Sequence, residues 1–221
     1  MVMKARTLSQ GGASLVALMV GLVIASISLL GLMTAYRNTV EVTMNASQNA
    51  ESDGQQITGL SRISRLAIQA GYGLESAAPD QDLILLTSAN LSGNTLSGTQ
   101  QIGAQGAGNA LLWGWQQDGG SYLCAGVLAG VSGMQYMQAQ SCDSVSDWQA
   151  LTWQSQTLVT GGQLSLSLEA VLCAPFGLEA AENGIHGTRR FRVSTSLSTE
   201  HNGNPAPADL QLCLVNFRSA A

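Results

Sequence analysis

Residues 13–36 of this 221-residue chain carry no charge. At ~1.5 Å per residue, 24 helical residues extend roughly 36 Å, more than the ~30 Å hydrocarbon core of a bilayer. A segment this long and apolar has to lie in lipid or against other protein, and the remaining residues must be arranged around it. Lys4 and Arg6 flank it on the N-terminal side. Basic flanks tend to stay cytoplasmic, so the long C-terminal part is expected on the far side of the membrane. After Tyr36 the chain turns polar, with Arg37, Glu41, Glu51 and Asp53 among Thr, Asn, Ser and Gln. That composition continues a helix into water, with Gly54 and Gly59 each weakening it by up to about 1 kcal/mol relative to alanine and favouring a bend or fraying.

Secretory signal peptides end their apolar run with a small-residue cleavage site, whereas here Gly11-Gly12 precedes the run. Cleavage at this place leaves the apolar helix on the mature protein. The residues Gly12-Ala13-Ser14-Leu15-Val16-Ala17-Leu18-Met19-Val20 resemble the class III signal of type IV prepilins. That signal is a glycine, a hydrophobic residue, Ser or Thr, Leu, Ile or Val, Glu, then Leu-Met-Val. Ala17 is the single departure, standing where the family carries glutamate.

The resemblance implies a leader at 1–12 removed by a prepilin peptidase between Gly12 and Ala13, and an N-methylated Ala13. It implies that residues 13–36, with Ala17, Leu18, Val20 and Leu22 in the assembly helix, hold the precursor in the inner membrane and later pack against the same segments of neighbouring subunits. The family's glutamate is thought to attract a neighbour's amino terminus, compensating charges that are expensive when unpaired in lipid. Ala17 cannot do so. A subunit at or next to the fibre tip has no predecessor whose amino terminus needs neutralising; a low-abundance subunit that tolerates the loss is the plainer explanation.

Further along, Ile57, Leu60, Ile63, Ala67 and Ala70 follow the rhythm of one helical face, with Arg62 and Arg65 on the wetter side. Gly71-Tyr72-Gly73 supplies a stop, because glycine reaches the left-handed conformation on which helices commonly end. The stretch 60–74, LSRISRLAIQAGYGL, resembles the end of the long helix in PilW-type minor pilins. Residues 37–73 are therefore read as the amphipathic continuation of the helix, and 74–221 as an extracytoplasmic β-rich domain.

Beyond Pro79 the period becomes extended. Residues 82–87 read as a buried strand, and strand-like runs recur at 110–115, 121–128, 134–140, 151–160, 163–172, 189–199 and 210–218. The series Leu164, Leu166, Leu168 and Phe191, Val193, Thr195, Leu197 alternate with polar residues, as strands with one wet face do. Asp118-Gly119-Gly120, Gly161-Gly162, Asn183-Gly184 and Asn202-Gly203 are turn signals. Residues 88–109, rich in Ser, Gly, Asn and Gln, read as a long surface excursion with a hairpin near Ser92-Gly93-Asn94. A long helix whose C-terminal half covers an antiparallel sheet is an α+β fold, in agreement with the type IV pilin-like roll that the resemblance implies.

Cys124, Cys142, Cys173 and Cys213 are an even set without C-x-x-C spacing, in the part assigned to an oxidising compartment, and so are expected in disulfides. Four cysteines allow three connectivities, and the sequence does not choose among them; because 124 and 142 enclose a short segment while 173 and 213 lie in late strands, the expected pairs are 124–142 and 173–213. Removing Lys4 and Arg6 takes the formal charge from −5 to −7, and the one lysine leaves with the leader. Such a chain has no cationic surface for nucleic acid.

A catalytic set is not found. Gly130-Val131-Ser132-Gly133 is followed by Met134 rather than glycine, no H-E-x-x-H occurs, and the glycines of 103–108 have the wrong order for a dinucleotide loop. No metal or cofactor is expected. His186 and His201 read as loop residues, Trp113, Trp115, Trp148 and Trp153 as core or interface anchors, and Arg189-Arg190-Phe191-Arg192 as a solvated strand face or subunit contact.

The function expected from the resemblance is that of a minor pilin which enters a type IV pilus and helps prime its assembly. Its expected partners are other minor pilins, the major pilin and a large tip adhesin, and its expected roles lie in adhesion, twitching motility or DNA uptake. A minor pseudopilin of a type II secretion system shares the leader and helix and is the alternative; a membrane-anchored periplasmic enzyme is more remote. Mass spectrometry of the mature protein is expected to find N-methylated Ala13 as its first residue. An intact leader, or a cut beyond Ser28, contradicts the prepilin frame.

Overall fold

The computed structural model describes residues 14–117, 119–130, 133–160, 164–175, 186–201 and 204–218, and for 195–201 and 204–208 the backbone alone. The Gly12–Ala13 junction, Asp118, the glycine turns at 161–162, 183–184 and 202–203, and the side chains of Thr195, Leu197 and His201 fall outside this description. The chain divides after Gln48 into two compact units.

One helix, α1 (Leu15–Ala67), runs 53 residues and contributes to both. Its part up to Gln48 is exposed throughout. In the second unit the remainder of α1 is followed by β1 (Leu83–Ser92), β2 (Thr95–Gln101), β3 (Gly106–Gly108), β4 (Ala110–Gln116), β5 (Tyr122–Gly130), β6 (Gly133–Ser141), a 3-10 turn (Val145–Asp147), β7 (Ser155–Thr160), β8 (Leu164–Glu169), β9 (Arg190–His201) and β10 (Asn204–Cys213). The strands form two sheets, in the orders β2-β1-β4-β5-β6-β7 and β10-β9-β8-β3, with every pairing antiparallel. The fold is α+β: a long N-terminal apolar helix whose C-terminal part packs on antiparallel sheets.

Two sheets replace the single half-wet sheet expected from the alternation. Successive side chains of a strand point to opposite faces, and in β1 and β4 both sets are apolar. Leu83, Leu85, Leu111 and Trp113 join Leu60, Ile63 and Ala67 of the helix, Ala70 of the turn after it, and Leu166, Leu168, Phe191 and Val193 of the second sheet in one buried cluster. Ile84, Leu86, Ala110 and Leu112 face the other way, under Val145, Trp148 and Trp153. The strap at 142–153 thus covers the far face of the first sheet, whereas the alternating series that suggested a wet face lies in β8 and β9 of the second. Trp153 Nε1 donates to the Trp148 carbonyl at 3.0 Å, satisfying a buried donor. All four tryptophans are buried, which makes them core anchors rather than a ligand platform.

The excursion expected at 88–109 is largely sheet. β1 continues to Ser92, turns through Gly93-Asn94 and returns as β2, with Ser92 opposite Thr95; Gly106–Gly108 then pairs with Leu166–Leu168 as an edge strand. Polar edge strands carry little apolar signal, and so they read as loop. At the C terminus the expected strand 210–218 is displaced: β10 ends at Cys213, and 214–217 leave the sheet. β7 begins only at Ser155 and β8 ends at Glu169.

Disulfides join Cys124 to Cys142 and Cys173 to Cys213. They close segments of sequence separation 18 and 40, for which the chain-entropy account gives about 3 and about 4 kcal/mol. The first ties the start of the strap to the strand it covers, and the second ties the approach to β9 to the end of β10.

The helical face also differs in one residue. Ile57 is 54% exposed, and Gln56 takes its place in the buried series Asp53, Gln56, Gly59, Leu60, Ile63, Ala67. Gly59 is a packing residue rather than a weak point: a Cβ there would collide with Val159 Cγ2 and stand 2.9 Å from the Leu158 carbonyl oxygen. Gly54, where a Cβ would meet nothing within 4 Å, has no such reason. Gly59→Val is expected to lower unfolding stability by roughly 1–3 kcal/mol through overpacking, and Gly54→Ala to raise it by up to about 1 kcal/mol. Urea unfolding of the detergent-solubilised protein measures both; equal effects would place the helix differently on β7.

Candidate functional site

The apolar part of α1 is the first candidate. Leu15, Val16, Leu18, Met19, Val20, Leu22, Val23, Ile24, Ile27, Leu29, Leu30, Leu32 and Met33 are each more than half exposed. An 18-residue window of this helix has a mean hydropathy of 2.6 and meets the length and composition of a membrane span. Its hydroxyls are silenced internally. Ser26 Oγ donates to the Leu22 carbonyl at 2.8 Å, Ser28 Oγ to Ile24 and Thr34 Oγ1 to Leu30, both at 2.9 Å. Pairing inside the helix leaves none of these three hydroxyls unpaired in an apolar surrounding.

Sequence reading missed one feature of this segment. Ala17, Gly21, Ala25, Ser28 and Ala35 follow i, i+4, i+8, i+11 and i+18 and so share one helical face. A Cβ on Gly21 or on Gly31 would meet nothing within 4 Å, so packing within the chain does not account for either glycine. Small residues on one face let another helix's backbone come close. Leu18, Val20 and Leu22 lie on the same segment, exposed like Ala17. The spacing was present in the sequence, hidden by the strength of the hydropathy signal.

The second candidate is the junction where α1 ends on β4. The helix stops at Ala67, short of the expected 73, and turns through Gly71 and Gly73 at φ 74° and 73°. The Gly71 N–H donates to the Gly114 carbonyl at 2.8 Å, and the Gln116 N–H to the Tyr72 carbonyl at 2.8 Å. A Cβ on Gly73 would run into the Gln116 carbonyl, so both the backbone angle and the space require glycine there. Asn216 Nδ2 donates to the Ala70 carbonyl at 2.8 Å, closing the helix end with a residue from the C-terminal segment.

Asp82 braces the same junction. Its carboxylate accepts the Tyr122 hydroxyl at 2.7 Å and the Ala78 N–H at 2.9 Å, while its carbonyl accepts the Gly114 N–H at 2.9 Å. The pair is separated by 40 positions, so no local sequence signal announces it. A cleft of about 680 Å³ opens beside the junction, lined by Glu75, Asn216, Arg218 and small residues of 71–79.

Arg190 and Arg192 reach Glu169 at 3.7 and 3.5 Å, and Arg192 reaches Asp209 at 3.7 Å, while Phe191 is fully buried. The basic run is a compensated strand face. Among the described residues, no group of three or more His, Cys, Asp or Glu side chains is placed to hold a metal. No protein-family model, curated protein or solved structure matches the chain.

Burial, and next the hydrogen bond and charge of Asp82, push the Tyr122 phenol above its ordinary value of 10.0. The fold therefore holds the neutral phenol, and the stability this provides is complete below pH ~10 and lost as pH rises through the folded-state value. Unfolding free energy measured against pH is expected to fall above pH ~10. Tyr122→Phe is expected to flatten that fall while costing about 1–2 kcal/mol at neutral pH. The buried Tyr136, also raised chiefly by burial, keeps part of the slope.

Proposed function

We propose that the chain is a minor pilin, a subunit that enters a type IV pilus through the helix of residues 13–36 and helps prime the fibre's assembly. The observation that carries this reading is a charge-free, exposed apolar segment that belongs to the same 53-residue helix as the buried face running from Asp53 to Ala67. A segment that only anchored a domain would need no small-residue face and no cleavage frame on its N-terminal side; here Gly12-Ala13-Ser14-Leu15 precedes it. The same surface serves twice, first against lipid in the inner membrane with the sheet domain outside, then against neighbouring helices, because exchanging one apolar surround for another costs little. The reading gives the chain no catalytic role and no cofactor.

Ala17 fits a place at or next to the tip. The position carries no charge to guide a preceding subunit's amino terminus, and its methyl lies on the small-residue face instead. The partners are then the major pilin below, other minor pilins beside it and a large tip adhesin.

Immunogold labelling of fibres, with immunoblots of the sheared fibre fraction, tests the reading. Label is expected at fibre ends, and Leu22→Arg, which places a charge worth about +3 kcal/mol in the span, is expected to remove the chain from fibres. Label spread along the shaft contradicts the tip position, and absence of the wild-type chain from fibres contradicts the pilus reading itself.

A further inference from the structure

A sheet edge offers a row of backbone N–H and C=O groups to any extended chain, and proteins blunt such edges with charge, proline, bulges or a covering element. Of the four sheet edges among the described residues, three are blunted. β7 is bulged between its pairings with Met134 and Gln135. It is also crossed by α1, whose Gln55 accepts the Thr160 hydroxyl at 3.1 Å and whose Arg62 donates to Gln156 at 3.0 Å. β10 holds Pro205 and Pro207, which have no N–H to offer, and β3 is three residues long. β2, at the end of the six-stranded first sheet, has none of these devices. It runs seven residues without proline or charge, inside a stretch, 83–117, that carries no charged residue at all. The irregularity in its ladder lies on the β1 side, at Ser88 and Ala89.

The ladder fixes which groups are free. In an antiparallel sheet, alternate residues of a strand bond to opposite neighbours. The Gly114 N–H donates to the Asp82 carbonyl and the Asn109 N–H to the Leu86 carbonyl, both at 2.9 Å, so the even-numbered residues leading from Asp82 to Leu86 bond toward β4. Leu86 stands opposite Gln100, and the N–H and C=O of Gln100 therefore point away from β1. Among the described residues nothing meets them. The side chains beside this edge leave it open: Thr95, Ser97, Thr99 and Gln100 are exposed. Ile102, the first residue after β2, is 89% exposed. It is held there by a brace, because the Asp80 carboxylate accepts the Gly103 N–H at 2.7 Å and the Ala104 N–H at 3.1 Å.

We propose that the outer edge of β2 receives an extended segment of a different protein as a seventh strand of the first sheet, with an apolar residue of that segment against Ile102. The inference rests on the pilus reading for where the partner is found, among the subunits of the same fibre. N–H and C=O groups repeated every second residue along an edge are matched by another extended backbone, which is the chemistry of strand addition. A second copy is excluded by direction. Antiparallel pairing of β2 with itself requires a two-fold axis perpendicular to the sheet, and that axis reverses any line lying along the sheet, including residues 60–67 of α1, which pack on its face. Copies threaded into one membrane in the same direction carry those residues the same way. Seven residues of edge make a weak contact alone, sufficient for a partner already held close, as neighbours gathered by their apolar helices are.

The test uses the full-length chain in cells that assemble the fibre, with the sheared fibre fraction and the membrane fraction blotted side by side. Gln100→Pro removes one outward N–H and no bond of the native ladder, and Thr99→Lys places a charge beside the edge. Both are expected to reach the membrane at wild-type levels with both disulfides formed, and to fall at least tenfold in the fibre fraction. Ala150→Lys, at an exposed position of the strap, is expected to enter fibres as the wild type does. A photo-crosslinking amino acid at position 99 is expected to label one segment of a second protein, and to lose that label when Gln100→Pro is added. If Gln100→Pro does not accumulate, Thr99→Lys and the crosslink from position 99 decide without it. Crosslinks confined to a second copy, to lipid or to residues 176–185 of the same chain overturn the inference, as does wild-type entry of the edge variants. If the wild-type chain is itself missing from fibres, the pilus reading falls. The crosslink then decides the edge by itself: a labelled segment of another protein sustains it, and no such label overturns it.

Discussion

The sheet domain is registered by the hydrogen bonds that tie the end of α1 to β4. Gly71 donates to Gly114 and Tyr72 accepts from Gln116, so the turn that follows the helix behaves as a short extra partner for the central strand of the first sheet. Everything the helix buries follows from that tie. With residues 70–73 fixed on β4, the helical period carries Ala67, Ile63, Leu60 and Gln56 across the sheet in turn, and Gly59 falls where the backbone of β7 needs the space. Moving the tie by one residue would rotate the buried face by about 100° and turn Arg62 or Ile57 toward the strands.

The elements legible in the sequence were those whose burial is one-sided or extreme. The charge-free segment and the apolar run of β4 are strong local patterns, and the structure places a helix and a strand there; the glycine turn at Gly71-Tyr72-Gly73 is present, but beyond a helix that already ends at Ala67. What escaped was set by distant partners. Gln56 is buried and Ile57 exposed, the reverse of their hydropathy, because the face is chosen by the tie at β4. The strap with Trp148 and Trp153 covers the second apolar face of β1 and β4, and β2 and β3 are polar edge strands whose pairing is fixed by registers with Leu85 to Ser92 and Leu166 to Leu168.

The candidate sites divide in the same way. Exposure of Ala17, Leu18, Val20 and Leu22 was readable because a span needs only composition, and the small-residue face was readable in principle from its spacing. The Asp82–Tyr122 pair and the Asp80 brace on Gly103 and Ala104 join residues 23 to 40 positions apart. No local pattern encodes such meetings; sheet topology creates them.

The C-terminal segment sets an order of events. Asn216 closes the helix end at Ala70, 146 positions earlier. Thr188 donates through both its backbone N–H and its hydroxyl to the Phe217 carbonyl, and Phe217 is fully buried. The core is therefore closed by residues that follow every strand in the chain. Until they arrive, the sheet domain stays open at the seam between the end of α1 and the start of β9, and a chain cut after Val215 would keep every strand and leave Ala70 without the amide of Asn216.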